Sequence, residues 1–82
     1  MPRRVNINHI RNAVIAAGFK PKVDKHNVPV EDFYQSGETE VWIFDIAVAM
    51  STWVNHQPVE QHWIISTPMD LNQCMKVIGN YI

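Results

Sequence analysis

Few residues of this 82-residue chain could do chemistry: His9, His26, His56 and His62, the single cysteine Cys74, and the carboxylates Asp45 and Glu60 mid-chain. Metal binding needs donors spaced to converge, as in His-x-x-x-His or Cys-x-x-Cys, and neither spacing occurs. His56 and His62 stand six apart across a polar loop, and His9 and His26 have no neighbouring ligand in sequence. Cysteine–histidine nucleophilic chemistry needs an accessible thiolate. Cys74 instead falls on the apolar stripe of a C-terminal helix, where a thiol behaves as a small hydrophobe. Glu60, His62 and Asp45 suit a solvated strand face better than an acid–base site. Gly18, Gly37 and Gly79 stand too far apart to cradle a phosphate. These residues imply no enzyme, no metal and no cofactor.

The elements that must position these groups centre on Val41 to Ser66. From Trp42 to Val54 the even positions are Trp, Phe, Ile, Val, Met, Thr and Val, while the odd ones are mixed. A period of two with one apolar side predicts a half-buried strand. Asn55-His56-Gln57-Pro58 then makes a loop, and a second strand follows. This register sets Val54 opposite Val59, Thr52 opposite Gln61, Met50 opposite Trp63 and Val48 opposite Ile65. Fourteen extended residues would span roughly 46 Å, too long for a chain this small, so the strand must bend between Asp45 and Ala49. A helix over 45–57 is the competing reading.

A first helix is expected over residues 6–18, capped by Asn6 or Asn8 and closed by Gly18, with Ile7, Ile10, Val14, Ile15 and Ala17 on its apolar side. Arg11 borders that stripe. Residues 20–29, with Pro21 and Pro29, read as irregular chain and a turn at Asp24–Asn27. Val28–Gln35 reads as a strand, or as a short helix over 29–36. A loop at 37–39 would place Tyr34 by Trp42 and Val30 by Ile46. Thr67-Pro68-Met69-Asp70 is a capping box opening the last helix, whose stripe is Leu71, Cys74, Met75, Ile78 and Ile82. The expected fold is α+β: one domain over 1–82, a two-layer sandwich of helix, three-stranded antiparallel sheet and helix, both helices on one sheet face.

The apolar share of 46% suits one modest globular core. The start Met1-Pro2-Arg3-Arg4 lacks the apolar run of a secretory signal, no segment is long enough to cross a bilayer, and one cysteine cannot staple the fold. A cytoplasmic protein without membrane attachment is expected. A net charge of −1 conceals a polarity. Residues 1–25 carry +5 (Arg3, Arg4, Arg11, Lys20, Lys22 and Lys25 against Asp24). Residues 26–82 carry −6 (Lys76 against Glu31, Asp32, Glu38, Glu40, Asp45, Glu60 and Asp70). Such asymmetry suits an oriented partner or a matched homodimer.

Helix, three strands and helix is also the element order of the double-stranded-RNA-binding fold and of small toxin ribonucleases built on it. Ala16-Ala17-Gly18-Phe19 is loosely similar to the end of the first helix in those toxins. The chain departs from their pattern in two places: its last helix does not begin with lysines, and no Gly-Ser-His marks the first strand. That layout implies a nucleic-acid surface built from Arg3, Arg4, Arg11, Lys20 and Lys22, with a small ribonuclease as a further reading. The leading expectation is different. With both helices on one face, the face carrying the odd residues of the first strand and the even residues of the second is left bare, and Val41, Ile43, Ser51, Trp53, His62 and Ile64 would form a partner-binding surface. The chain is then a small non-enzymatic interaction protein that modulates or inhibits a larger macromolecule, in the manner of phage and mobile-element accessory proteins. The structural alternative is that a helix, or the segment 20–36, folds over that face.

Overall fold

The computed structural model describes residues 5–82. The helix α1 (Ile7–Ala16) leads into five strands, β1 (Lys20–Val23), β2 (Pro29–Ser36), β3 (Thr39–Phe44), β4 (Ala47–Val54) and β5 (Gln57–Ile64), and α2 (Pro68–Gly79) closes the chain. The strands form one antiparallel meander in chain order. The class is α+β as expected, but the sheet has five strands rather than three.

Both helices begin and end through local chemistry. The Asn6 side chain accepts the His9 N–H at 3.1 Å while His9 Nδ1 accepts the Asn6 N–H at 3.4 Å. At the other end Gly18 takes φ +100, and the N–H groups of Gly18 and Phe19 donate back to the carbonyls of Ile15 and Val14. This Schellman closure turns Phe19 back into the core, where it is fully buried. In α2 the Asp70 carboxylate accepts the N–H groups of Ser66 and Thr67, each at 3.0 Å, and Thr67 Oγ1 accepts the Asp70 N–H at 3.2 Å.

The two strands beyond the expected three come from a tight turn inside the central run and from β1. The run from Val41 to Val54 is two strands: the chain reverses at Asp45-Ile46, with Asp45 at φ +58 and Phe44 opposite Ala47. Neither a bend nor a helix relieves the excess length; a hairpin does. Reversal through two residues puts 44 and 47 on the same face, so the even residues of β3 and the odd residues of β4 lie together. The turn between β2 and β3 is Gly37-Glu38, one residue shorter than expected, and Tyr34 therefore pairs with Val41 rather than with Trp42. At the β4–β5 turn Asn55 and His56 both take positive φ, and Val54 pairs with Gln57. That register differs from the expected one by two residues, which changes the pairs (Met50 with Gln61, Val48 with Trp63) and preserves the faces. Residues 20–36 do not fold over the sheet. They supply β1 and β2, joined by a turn in which Asp24 Oδ1 accepts the N–H groups of His26 and Val28.

The core lies between the helices and one sheet face. Ile10 and Val14 from α1, and Cys74 and Ile78 from α2, meet Tyr34, Val41, Ile43, Val48 and Met50. Ile15, expected on the α1 stripe, is half exposed. The two buried hydroxyls in this layer satisfy each other. Thr39 Oγ1 donates to the Tyr81 carbonyl at 3.0 Å, so Thr52 Oγ1 is the donor to Thr39 Oγ1 at 2.9 Å, and the chain end is held to the sheet.

Candidate functional site: the uncovered sheet face

On the opposite side of the sheet the cross-strand rows can be read from the register. Phe44, Ala47 and Ile64 form one row, followed by Trp42, Ala49 and His62, then Glu40, Ser51 and Glu60, with Trp53 beside Pro58 at the far end. The β4 column is small throughout until Trp53, and its neighbours on β3 and β5 are large. The result is a furrow with Ala47, Ala49 and Ser51 as its floor, about 9–10 Å between flanking strands and roughly 20 Å long. Phe44 is 60% exposed, Trp53 55% and Ile64 64%.

Val41 and Ile43 require correction. Expected on this surface, they are 0% and 3% exposed and belong to the core, because the Asp45 turn reverses the parity of β3. Their places on the outer face are taken by Trp42 and Phe44. Ser51 is half-buried in the furrow floor, while Trp53, His62 and Ile64 are exposed along it. The signal that could have placed Trp42 and Phe44 was Asp45 itself, a residue that tolerates left-handed backbone and so can turn a chain without glycine.

The first half of the same face is closed by its own side chains. Phe33 stacks on Trp42 with ring centroids 4.6 Å apart, and Lys22 Nζ lies 4.7 Å from the Phe33 centroid while pairing with Glu40. Phe33 and Trp42 are therefore half-buried, whereas Phe44, Trp53 and Ile64 on β3–β5 are bare. Carboxylates border the furrow at Glu60 and, near Trp53, at Glu38; Glu38, Trp53, Asn55 and His56 line one open depression.

The basic set is dispersed. Arg3 and Arg4 lie outside the described residues. Arg11 is held bidentately by Asp32, at 2.6 Å from Nε and 2.8 Å from Nη2, and also donates to Asn8 Oδ1. Asp32 projects from an irregular stretch of β2 at φ +55, and the guanidinium hydrogen bonds hold its carboxyl below the usual aspartate range. Lys22 is paired with Glu40, and Lys20 sits on the short edge strand β1. The charge polarity of the sequence is thus partly neutralised within the molecule.

His26 and His56 sit in turns, His9 caps α1, and only His62 stands on the open face. Among the described residues no three His, Cys, Asp or Glu side chains converge to hold a metal ion. Cys74 is fully buried, and burial pushes its thiol up to about 12, leaving it protonated at neutral pH. Among the described residues no helix is long and apolar enough to cross a membrane. The chain matches no family model, no curated protein and no solved structure.

Proposed function

We propose that this protein works by binding rather than by catalysis, docking the β3–β5 furrow onto a helix of a larger protein and so modulating or blocking that partner. The observation that carries this reading is the exposure of Phe44, Trp53 and Ile64 on one sheet face around a floor of small residues. Large exposed apolar groups gathered on one surface are unusual in a solitary chain, and tryptophan is a frequent energetic anchor. A helix laid along the small β4 floor would rest its apolar stripe on Ala47, Ala49 and Ser51, with its flanking side chains against Phe44 and Ile64. Glu38 and Glu60 at the borders select a helix flanked by lysine or arginine. The same carboxylates disfavour a nucleic-acid strand: bases could stack on Trp53 and Phe44, but that mode needs a positive groove for the phosphates.

The test is paired capture from a host lysate by the wild-type chain, Ala49→Arg, which fills the furrow floor, and Trp53→Ser, which removes the anchor. A protein held by wild type and lost by both folded variants supports the proposal. Equal capture by all three, or retention of nucleic acid alone in a salt-dependent manner, would remove it.

A further inference from the structure

The two edges of the sheet are built differently. β1 has four residues, two of them lysines and one a proline, and its pairing to β2 is interrupted by an irregularity. Short length, lysine, proline and bulges are the usual means of keeping an edge from pairing. β5 has eight residues, no lysine, a proline only at its second position (Pro58), and an unbroken register against β4 from Gln57 to Ile64. Among the described residues it pairs with no other strand.

Which backbone groups β5 offers follows from its turn. A two-residue turn makes Val54 and Gln57 a hydrogen-bonded pair, so Gln57, Val59, Gln61 and Trp63 direct their N–H and C=O groups to β4. The Ile65 N–H, continuing the same alternation, donates to the Ile46 carbonyl at 2.7 Å. Pro58, Glu60, His62 and Ile64 therefore direct their backbone groups off the sheet. Pro58 stands where a missing N–H costs the monomer no ladder bond.

We propose that β5 pairs antiparallel with β5 of a second copy of this chain, with Gln61 on the twofold axis, joining two five-stranded sheets into one. Only registers that pair even residues with even residues match outward backbone groups on both strands. Among these, centring on Gln61 sets Glu60 opposite His62 of the second copy, twice by symmetry. The Glu60 carboxylate accepts from an imidazole N–H, which histidine offers in either charge state. Centring on Glu60 would set two carboxylates face to face, and centring on His62 would set the two imidazoles together. Either would leave Glu60 without a histidine opposite, whereas at the Gln61 centre only two neutral amides meet. On the helix side the Gln61-centred register sets Val59 against Trp63, both already packed against the core margin, and on the outer side Pro58 against Ile64. The Ile64 N–H donates to the Pro58 carbonyl across the junction. A twofold perpendicular to the sheet keeps all four helices on one side and leaves both furrows open. The pairing uses the edge and not the furrow, so it is tested independently of the function proposed above.

Sedimentation or light scattering of the full chain over a range of concentrations reads the assembly directly. The expected mass is twice 9.5 kDa. Glu60→Lys should weaken association about tenfold, since two cross-strand pairs are lost at once, and Glu60→Lys with His62→Glu should restore it. His62→Pro removes an outward N–H without touching the β4–β5 ladder and should leave a folded monomer. Should that variant unfold, the charge swap still decides the matter. Register is read by Gln61→Cys: paired residues at such a non-hydrogen-bonded position have Cα atoms about 4.5 Å apart, within disulfide reach. Diamide should couple this variant into dimers and leave Gln57→Cys uncoupled. A wild-type monomer at every concentration would overturn the proposal, as would a dimer indifferent to the charge reversal or equal coupling of the two cysteine variants.

Discussion

The two faces of strand β4 differ more than any other two regions of this molecule. Val48, Met50 and Thr52 point to the helices and are no more than 3% exposed, while Ala47, Ala49 and Ser51 alternate with them on the open side before Trp53. Both faces contain aromatic or branched apolar groups from neighbouring strands, but only on the inner face do helices cover most of them. The inner side is closed by α1 and α2, and even its hydroxyls are satisfied by Thr39, Thr52 and the Tyr81 carbonyl. On the outer side Lys22, Phe33 and Trp42 cover one another, while Phe44, Trp53 and Ile64 stay bare. An apolar side chain therefore reports on stability or on binding according to the side of the sheet it takes, and turn geometry decides which.

This contrast can be broken in graded steps. The largest effect is expected inside: Met50→Ala should destabilise by about 2–5 kcal/mol in chemical denaturation, through lost burial and the cavity left behind. Next is the turn that assigns the faces. Asp45→Val places a β-branched residue in left-handed backbone and should cost about 1–2 kcal/mol, and Asp45→Gly should be tolerated. Acid sensitivity comes after that. The folded-state pKa of Asp32 lies below its unfolded value, so its contribution is fully present above the unfolded pKa of about 3.9 and is lost as pH falls through the lower folded one. Thermal melts between pH 2 and 6 should show this loss in wild type and a shallower acid limb in Asp32→Asn. Asp70, held low by the backbone N–H groups of Ser66 and Thr67, supplies a second component of the same sign. A smaller effect than inside is expected outside: Trp53→Ser, whose indole is 55% exposed, should cost about 1 kcal/mol. A loss comparable to that of Met50→Ala would mean that the indole is packed as core.

Much of the fold was legible because its signals are local. Asn6 with His9, Thr67 with Asp70, and Gly18 before Phe19 announce helix ends through groups within a few residues of one another. The faces of β4 and β5 were legible from alternation alone, since an error of two residues in register leaves every side chain on its own face. The β3–β4 turn was not. Asp45-Ile46 lacks the asparagine–glycine or aspartate–glycine signature of a tight hairpin, and the alternation of Trp42, Phe44, Ile46 and Val48 runs through it without a break. The same blindness assigned Val41 and Ile43 to the surface and Trp42 and Phe44 to the core.

By itself, then, the order of residues determined the two helices, the alternating character of the central strands and the scarcity of groups able to do chemistry. Those properties depend on neighbours close in sequence. Which residues of β3 face the helices, that residues 20–36 extend the sheet rather than cover it, and that Arg11 is matched to Asp32 were decided only by the tertiary structure. Each depends on how the chain reverses, and a turn one residue longer or shorter exchanges inside for outside while barely changing local preference.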